Sequence, residues 1–277
     1  MSILMGSVVL LCAGVFLGFE QQPKQMLIQN TGSKQLIVHE KVEQETKQEI
    51  IKKEVVKKEA VKEEIKPLEG MIISIDPGHQ EKGNSEQEPI GPESQKTKAK
   101  VSSGTCGVAT QKNEYELNLE VGLKLKDALV ARGAEVYMTR EVHAIDISNK
   151  ERAEMANEKN ATLSIRIHAD SYSDSTVEGY SILVPGDTYV DSDIVAMSYK
   201  WAECIENEFK KGLDSKSRGI IVRNDLTGFN WTTVPAILIE MGFMSNPEED
   251  RKMSTEVFQN QLIESMCIAI ETFKEMN

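Results

Sequence analysis

Three polar side chains stand at the ends of apolar runs, and they are of types that hold and use a metal ion. MIISIDPGH (Met71 to His79) is a short β-branched run that stops at Asp76, turns through Pro77 and Gly78 and delivers His79. LSIRIHAD (Leu163 to Asp170) places His168 at the end of an alternating run, and VPAILIEMGF (Val234 to Phe243) ends a fully apolar run with Glu240. Run parallel, such strands bring their ends to one edge of a sheet, where open α/β folds bind their ligands. A further carboxylate, Glu114, opens an amphipathic helix on its inward side, three residues before Leu117 and seven before Val121. Glu116 and Glu120 have a simpler role beside the positive end of the helix dipole.

Two histidines and one carboxylate, with a fourth position left to water, form the catalytic zinc set, as opposed to the closed cysteine-rich structural set. His79, Glu114 and His168 supply those donors. A metal so held lowers the pKa of water and polarises an amide carbonyl, which leaves the protein to move protons. Glu240 suits that task, because burial at a strand end raises a carboxyl pKa toward the working range. Of the four histidines, His143 in a polar loop and His39 in a charged segment are read as ordinary polar residues. No HExxH pair, GxSxG elbow or Walker loop occurs.

The elements that must position these groups alternate in type. After His79 a polar stretch, Gln80 to Lys112, has no periodicity and reads as a long loop. A helix from Asn113 to Arg132 follows, with Leu117, Val121, Leu125 and Ala128 inward and Gly133 as its stop. Ala134 to Thr139 is a strand. Ser148 to Lys159 is a helix, with Ser148 and Glu151 spaced as a capping box. The strand carrying His168 and another at Gly179 to Val184 precede a helix over Asp193 to Gly212, whose apolar face includes Val195, Ala196, Tyr199, Ala202 and Ile205. A short strand (Gly219 to Val222), the strand ending in Glu240, and a helix from Thr255 to Lys274 complete the chain. Strands alternating with helices predict an α/β domain, residues 71–277, with a mostly parallel sheet of about six strands flanked by helices.

Two segments precede that domain. Ile3 to Phe19 is uncharged and apolar, at the short end of what spans a bilayer. It is a signal peptide or an anchor over residues 1–20, and the absence of a small-x-small site before Glu20 favours the anchor. Residues 21–70 form a charged linker with the five-residue repeat IIKKE, VVKKE, AVKEE. Five residues turn a helix by about 140°, so the apolar pairs line no single face and the segment reads as a stalk, helical or disordered. An exported protein held at the outer face of the cytoplasmic membrane, or secreted to the cell wall, is expected, with a monomeric catalytic domain. The net charge of −12 and pI near 5.0 argue against nucleic acid as partner. Cys12 lies in the apolar run, and Cys106, Cys204 and Cys267 are odd in number and widely spaced, which is no disulfide framework.

The series IDPGH with His79, NEYELNL with Glu114, the pair Thr139 and Arg140, ERAEMAN with Arg152 and Asn157, SIRIHAD with His168, and PAILIEMGFMSNPEED with Glu240 resembles the zinc-dependent N-acetylmuramoyl-L-alanine amidases with a DPGH motif. The resemblance runs in order from Met71 to the C-terminus. It implies Zn2+ on His79, Glu114 and His168, Glu240 as catalytic acid/base, and peptidoglycan as substrate, cut between the muramic acid lactyl group and L-alanine. Gln80 and Glu81 stand where the family has glycines, and Asp170 stands where it has asparagine. Arg166 faces the same way as His168 by strand alternation, so it either meets a substrate carboxylate or pairs with a carboxylate such as Asp170. Two other readings use the same residues: a peptidoglycan-binding module without turnover, and a zinc peptidase or deacetylase on the same polymer.

Overall fold

The computed structural model describes residues 66–276. The apolar run Ile3 to Phe19, Cys12, His39 and the charged repeat lie outside the described residues. Among the described residues no helix is long and apolar enough to cross a membrane.

The chain runs through β1 (Ile72–Pro77), β2 (Asn84–Pro89), β3 (Thr97–Val101), α1 (Glu114–Ala131), β4 (Glu135–Met138), α2 (Asn149–Glu158), β5 (Leu163–Asp170), β6 (Tyr180–Pro185), α3 (Ser192–Gly212), β7 (Ser217–Arg223), the single turn α4 (Thr227–Asn230), β8 (Ala236–Phe243), α5 (Pro247–Met253) and α6 (Glu256–Met276). Six strands make the main sheet in the order β4-β1-β5-β8-β6-β7. The pairs are parallel except β6 with β8, which is antiparallel. The three strands that lead to His79, His168 and Glu240 are thus neighbours and point the same way.

Strand alternation divides the sheet into two unlike faces. Ile73, Ile75, Ile165, Ile167, Ile237 and Ile239 join Leu117, Leu125, Trp201, Phe209, Leu262 and Met266 of α1, α3 and α6 in the main core. The other side carries Asp76, Arg166, His168 and Glu240 together with a smaller apolar group, Leu183, Ala236 and Leu238, packed on Phe229 of α4. Asp76, Arg166, His168 and Glu240 therefore stand on the face that the three long helices leave free.

Local signals account for the helix ends. Ser148 Oγ accepts from Glu151 N–H at 3.1 Å and Glu151 Oε2 accepts from Ser148 N–H at 2.7 Å, the reciprocal box expected of that spacing. Gly133 stops α1 in the left-handed region, φ 93°. The buried side of α3 is set one column away from the expected one. It runs through Ser198, Trp201, Ala202, Ile205 and Phe209, while Tyr199 is 41% exposed. Burying the larger Trp201 and Phe209 removes more apolar surface from water than burying Val195 and Tyr199 would.

Two further expectations change. The stretch Gln80 to Lys112 is not an irregular loop, because β2 and β3 pair antiparallel within it. Its anchors are remote in sequence: Asn149 Nδ2 donates to Lys100 O at 2.8 Å, Trp231 Nε1 to Pro89 O at 2.9 Å and Asn230 Nδ2 to Ile90 O at 2.8 Å. The chain also joins the core before Met71. Leu68 is fully buried among the core residues, and Lys274 Nζ donates to the carbonyls of Pro67 and Glu69 at 2.8 and 2.7 Å.

Candidate metal centre

His79 leaves β1 through a turn that two buried arginines hold by its carbonyls. Arg140 donates to Pro77 O at 2.9 Å, Gly78 O at 3.0 Å and Tyr115 O at 2.7 Å. Arg152 donates to Asp76 Oδ1 at 2.7 Å, Pro77 O at 3.0 Å and His79 O at 3.1 Å. So many fixed carbonyls hold His79 at φ 64°, a region that non-glycine residues rarely enter. The ring is fixed as well: Nδ1 lies 3.0 Å from Ser102 O, which can only accept, and 2.9 Å from Ser102 Oγ, and the carbonyl favours the tautomer with Nδ1 protonated. That tautomer turns the Nε2 lone pair inward, 3.1 Å from Glu114 Oε1.

Asp76 lies behind this turn. It accepts from Arg152, from Thr139 Oγ1 at 2.6 Å and from Arg166 Nε at 2.8 Å. Burial alone would raise its carboxyl pKa, but Arg152, Arg166 and Thr139 outweigh it and hold the group far below the usual carboxylate range. Arg166 is thus paired with Asp76, its cross-strand neighbour in the β1–β5 register, and with Asn149 Oδ1 at 2.9 Å. Asp170 is not its partner, since on β5 it lies four residues beyond Arg166 while Asp76 is directly opposite. Arg166 still lines the cleft beside His168 and Glu240.

Glu114 is the first residue of α1 and is buried, as its inward position required. Its Oε1 accepts from Ala169 N–H at 3.2 Å and Asn118 Nδ2 at 3.2 Å, and its Oε2 from Thr105 N–H at 3.0 Å. Burial pushes its pKa up, yet hydrogen bonding to His168 leads the contributions that outweigh it and hold the carboxyl below the usual carboxylate range. His168 Nδ1 lies 3.2 Å from the same Oε1. Its Nε2 is buried without a hydrogen-bond partner, against Gly78, where an added Cβ would stand 2.2 Å from the ring. Burial, opposed by Glu114, draws the imidazole down to about 4, which favours the neutral form that binds metals.

One donor atom from each of His79, Glu114 and His168 lies within 4.8 Å of the others. A tetrahedral zinc with bonds of about 2.0–2.1 Å separates its donors by roughly 3.3–3.4 Å, and the two donor separations at Glu114 Oε1, 3.1 and 3.2 Å, are close to that. Gly104 completes the fit: at φ 82°, its Cβ would lie 2.6 Å from Glu114 Oε2 and 2.9 Å from the His79 ring. Donor type, spacing and close backbone approach all suit a divalent cation. Glu240 is directly opposite His168 in the β5–β8 register. Its Oε2 is buried and unpartnered, and burial, followed by the charge of Glu114, pushes its pKa well above the ordinary carboxyl value. His143 takes no part and lies with its ring edge-on to Tyr115, centroids 5.4 Å apart.

The structure brings together the three residues that sequence reasoning singled out, His79, Glu114 and His168, and adds supports that it missed. Ser102, Gly104 and Asn118 carry no signal of their own, since each acts through contacts across the fold. Thr139, Arg140 and Arg152 stood in the motifs, but only folding reveals that they bond to the turn before His79.

A mostly parallel α/β sheet that brings His79 and His168 from its strand ends together with Glu114 at the start of α1 presents a donor set that could hold a metal ion, with Glu240 opposite His168. The chain belongs to the N-acetylmuramoyl-L-alanine amidase family, a family of cell-wall peptidoglycan hydrolases, whose profile matches residues 73–272. It is 24% identical over 241 residues to the amidase AmiC of Escherichia coli O6:H1, covering 73% of this chain and 52% of that one. It therefore spans about half the length of that relative. It is 28% identical over 195 residues to the amidase Rv3717 of Mycobacterium tuberculosis, covering 67% of this chain and 79% of the other. In fold it is similar to the amidase Ami1 of Mycobacterium smegmatis, with a TM-score of 0.68 at 24% identity over 76% of this chain and 99% of that one.

Proposed function

We propose that this chain hydrolyses the amide between the lactyl group of N-acetylmuramic acid and L-alanine of the peptidoglycan stem. His79, Glu114 and His168 would hold zinc, and Glu240 would act as acid and base. The observation that carries this reading is the convergence of the three donors within 4.8 Å, with Glu240 opposite His168 on the adjacent strand. Zinc bound there supplies Lewis acidity, which polarises the amide carbonyl and acidifies a water. Glu240 takes the proton of the attacking water and passes it to the departing alanine nitrogen, since an amide nitrogen leaves only when protonated. Its raised pKa suits both steps: the carboxylate is basic enough to accept the proton and acidic enough to return it. Ser102 keeps His79 in the required tautomer, and Arg140 and Arg152 keep it at the cluster.

In this reading residues 1–20 hold the chain at the membrane or act as an export signal, the charged segment from residue 21 up to the folded unit is a stalk, and the folded unit, which takes in Leu68 as well as residues 71–277, works as a monomer on the wall outside the cell. The test is digestion of purified peptidoglycan followed by mass analysis. Glycan strands with intact disaccharides and free stem peptides beginning with L-alanine are expected. New reducing ends, free acetate or cuts within the stem as the main product would each assign a different bond and overturn the proposal.

A further inference from the structure

The cleft beside Glu240 carries a second basic group that the proton-transfer chemistry does not use. Arg223, at the end of β7, lines it together with Lys98 from the β2–β3 hairpin and Asp225. Arg223 Nε donates to Asp225 Oδ1 at 2.7 Å and Nη2 to Asp225 Oδ2 at 3.0 Å. This fork occupies one edge of the planar guanidinium. The other edge, formed by Nη1 and the second hydrogen of Nη2, has no partner among the described residues. The Arg223 side chain is 36% exposed.

The free edge is open to an anion. Asp225 is shared, because Lys98 Nζ also lies 3.4 Å from its Oδ2, and the other carboxylates whose charge reaches Arg223, Glu240 and Asp170, form no hydrogen bond with it. Arg166, the other cation of the cleft, is already consumed by Asp76 and Asn149. In a chain of net charge −12 a cationic spot is not a general surface property. A guanidinium with one edge fixed and the other free is pre-organised for a bidentate carboxylate. Of the two sides of the scissile amide, the stem peptide carries carboxylates, whereas the lactyl carboxyl of the muramic acid is consumed in the amide itself.

We propose that Arg223, held by Asp225, is a specificity-determining residue that binds a carboxylate of the stem peptide and so directs the peptide toward the Lys98 side of the cleft. This rests on the amidase reading. Lys98 reaches the cleft on the hairpin, so the hairpin supplies one wall of this subsite.

The test uses the zinc-loaded full chain and disaccharide stem-peptide substrates in which each stem carboxylate is amidated in turn. For the wild type, amidation of one carboxylate is expected to raise KM by about tenfold to a hundredfold, the scale of a lost charge-assisted pair, with a smaller change in kcat. In Arg223→Gln the ratio of kcat/KM between acid and amide should fall to near one, and Arg223→Lys should restore part of it. A wild type that cuts every amidated form as well as the acid would overturn the inference, as would an Arg223→Gln that loses equally on both. Cleavage of a different bond, or of none, by the wild type would fail the amidase reading instead.

Discussion

Glu240 and Gly78 bear on the proposed centre in different ways, one through protons in the proposed reaction and the other through space. Glu240→Gln keeps the shape of the side chain but can neither accept nor return a proton. Zinc content should stay at one per chain while turnover falls by roughly two to four orders of magnitude, measured by release of stem peptides. Near-normal turnover would place the acid/base elsewhere. At Gly78 the difficulty is steric, since a Cβ would stand 2.2 Å from the His168 ring on a turn whose carbonyls four arginine contacts pin in place. The ring must then move. Gly78→Ala is expected to weaken zinc binding by roughly 10–100-fold, as loss of orienting support does, with its circular dichroism unchanged. Zinc titration against a chelator measures it, and wild-type affinity would mean that the ring yields without cost.

At the scale of elements, Asp76 ties β1 to α2 through Arg152, to β5 through Arg166 and to the end of β4 through Thr139. Both Asp76 and Arg152 are almost completely buried. Removing one member of such a set strands the other charges, so Asp76→Asn should cost about 3–5 kcal/mol, read from urea unfolding. The pH dependence has a definite sign. The native pKa of Asp76 lies far below its ordinary 3.8, so the unfolded chain binds a proton that the native chain refuses. Its contribution is complete above that ordinary value and is lost as pH falls through it toward the native value. The wild type should therefore lose stability from about pH 5 downward more steeply than Asp76→Asn. Equal acid slopes for the two proteins would remove Asp76 from this role.

For the whole molecule, the point where the folded unit begins can be tested by truncation. Leu68 is fully buried and its N–H donates to Arg132 O at 2.9 Å, so a chain starting at Met71 lacks a core side chain and a tie to the end of α1. Loss of a buried leucine costs about 2–5 kcal/mol. A fragment starting at Lys66 should unfold at clearly higher urea than one starting at Met71, and coincident curves would show that Leu68 adds nothing. A second truncation addresses the N-terminal run. The full chain is expected to fractionate with membranes, and removal of Met1 to Phe19 to release it in active form. Full-length protein found only in the soluble exported fraction would point to a cleaved signal instead.

The sequence alone determined the strand ends and the donor types, because both are local. A β-branched run followed by Pro-Gly terminates a strand wherever it occurs, and inward spacing on α1 was enough to separate Glu114 from Glu116. The six main strands and the capping box at Ser148 were legible for the same reason. The tertiary structure alone decided which carboxylate takes which arginine. By sequence Arg166 meets a substrate carboxylate or an acid such as Asp170, whereas the β1–β5 register gives it Asp76, a neighbour ninety positions away in sequence. The β2–β3 hairpin was illegible because its strands, NSEQEP and TKAKV, bury little apolar surface of their own. Their order comes from Asn149, Asn230 and Trp231, whose hydrogen bonds to the hairpin exist only once the chain has folded.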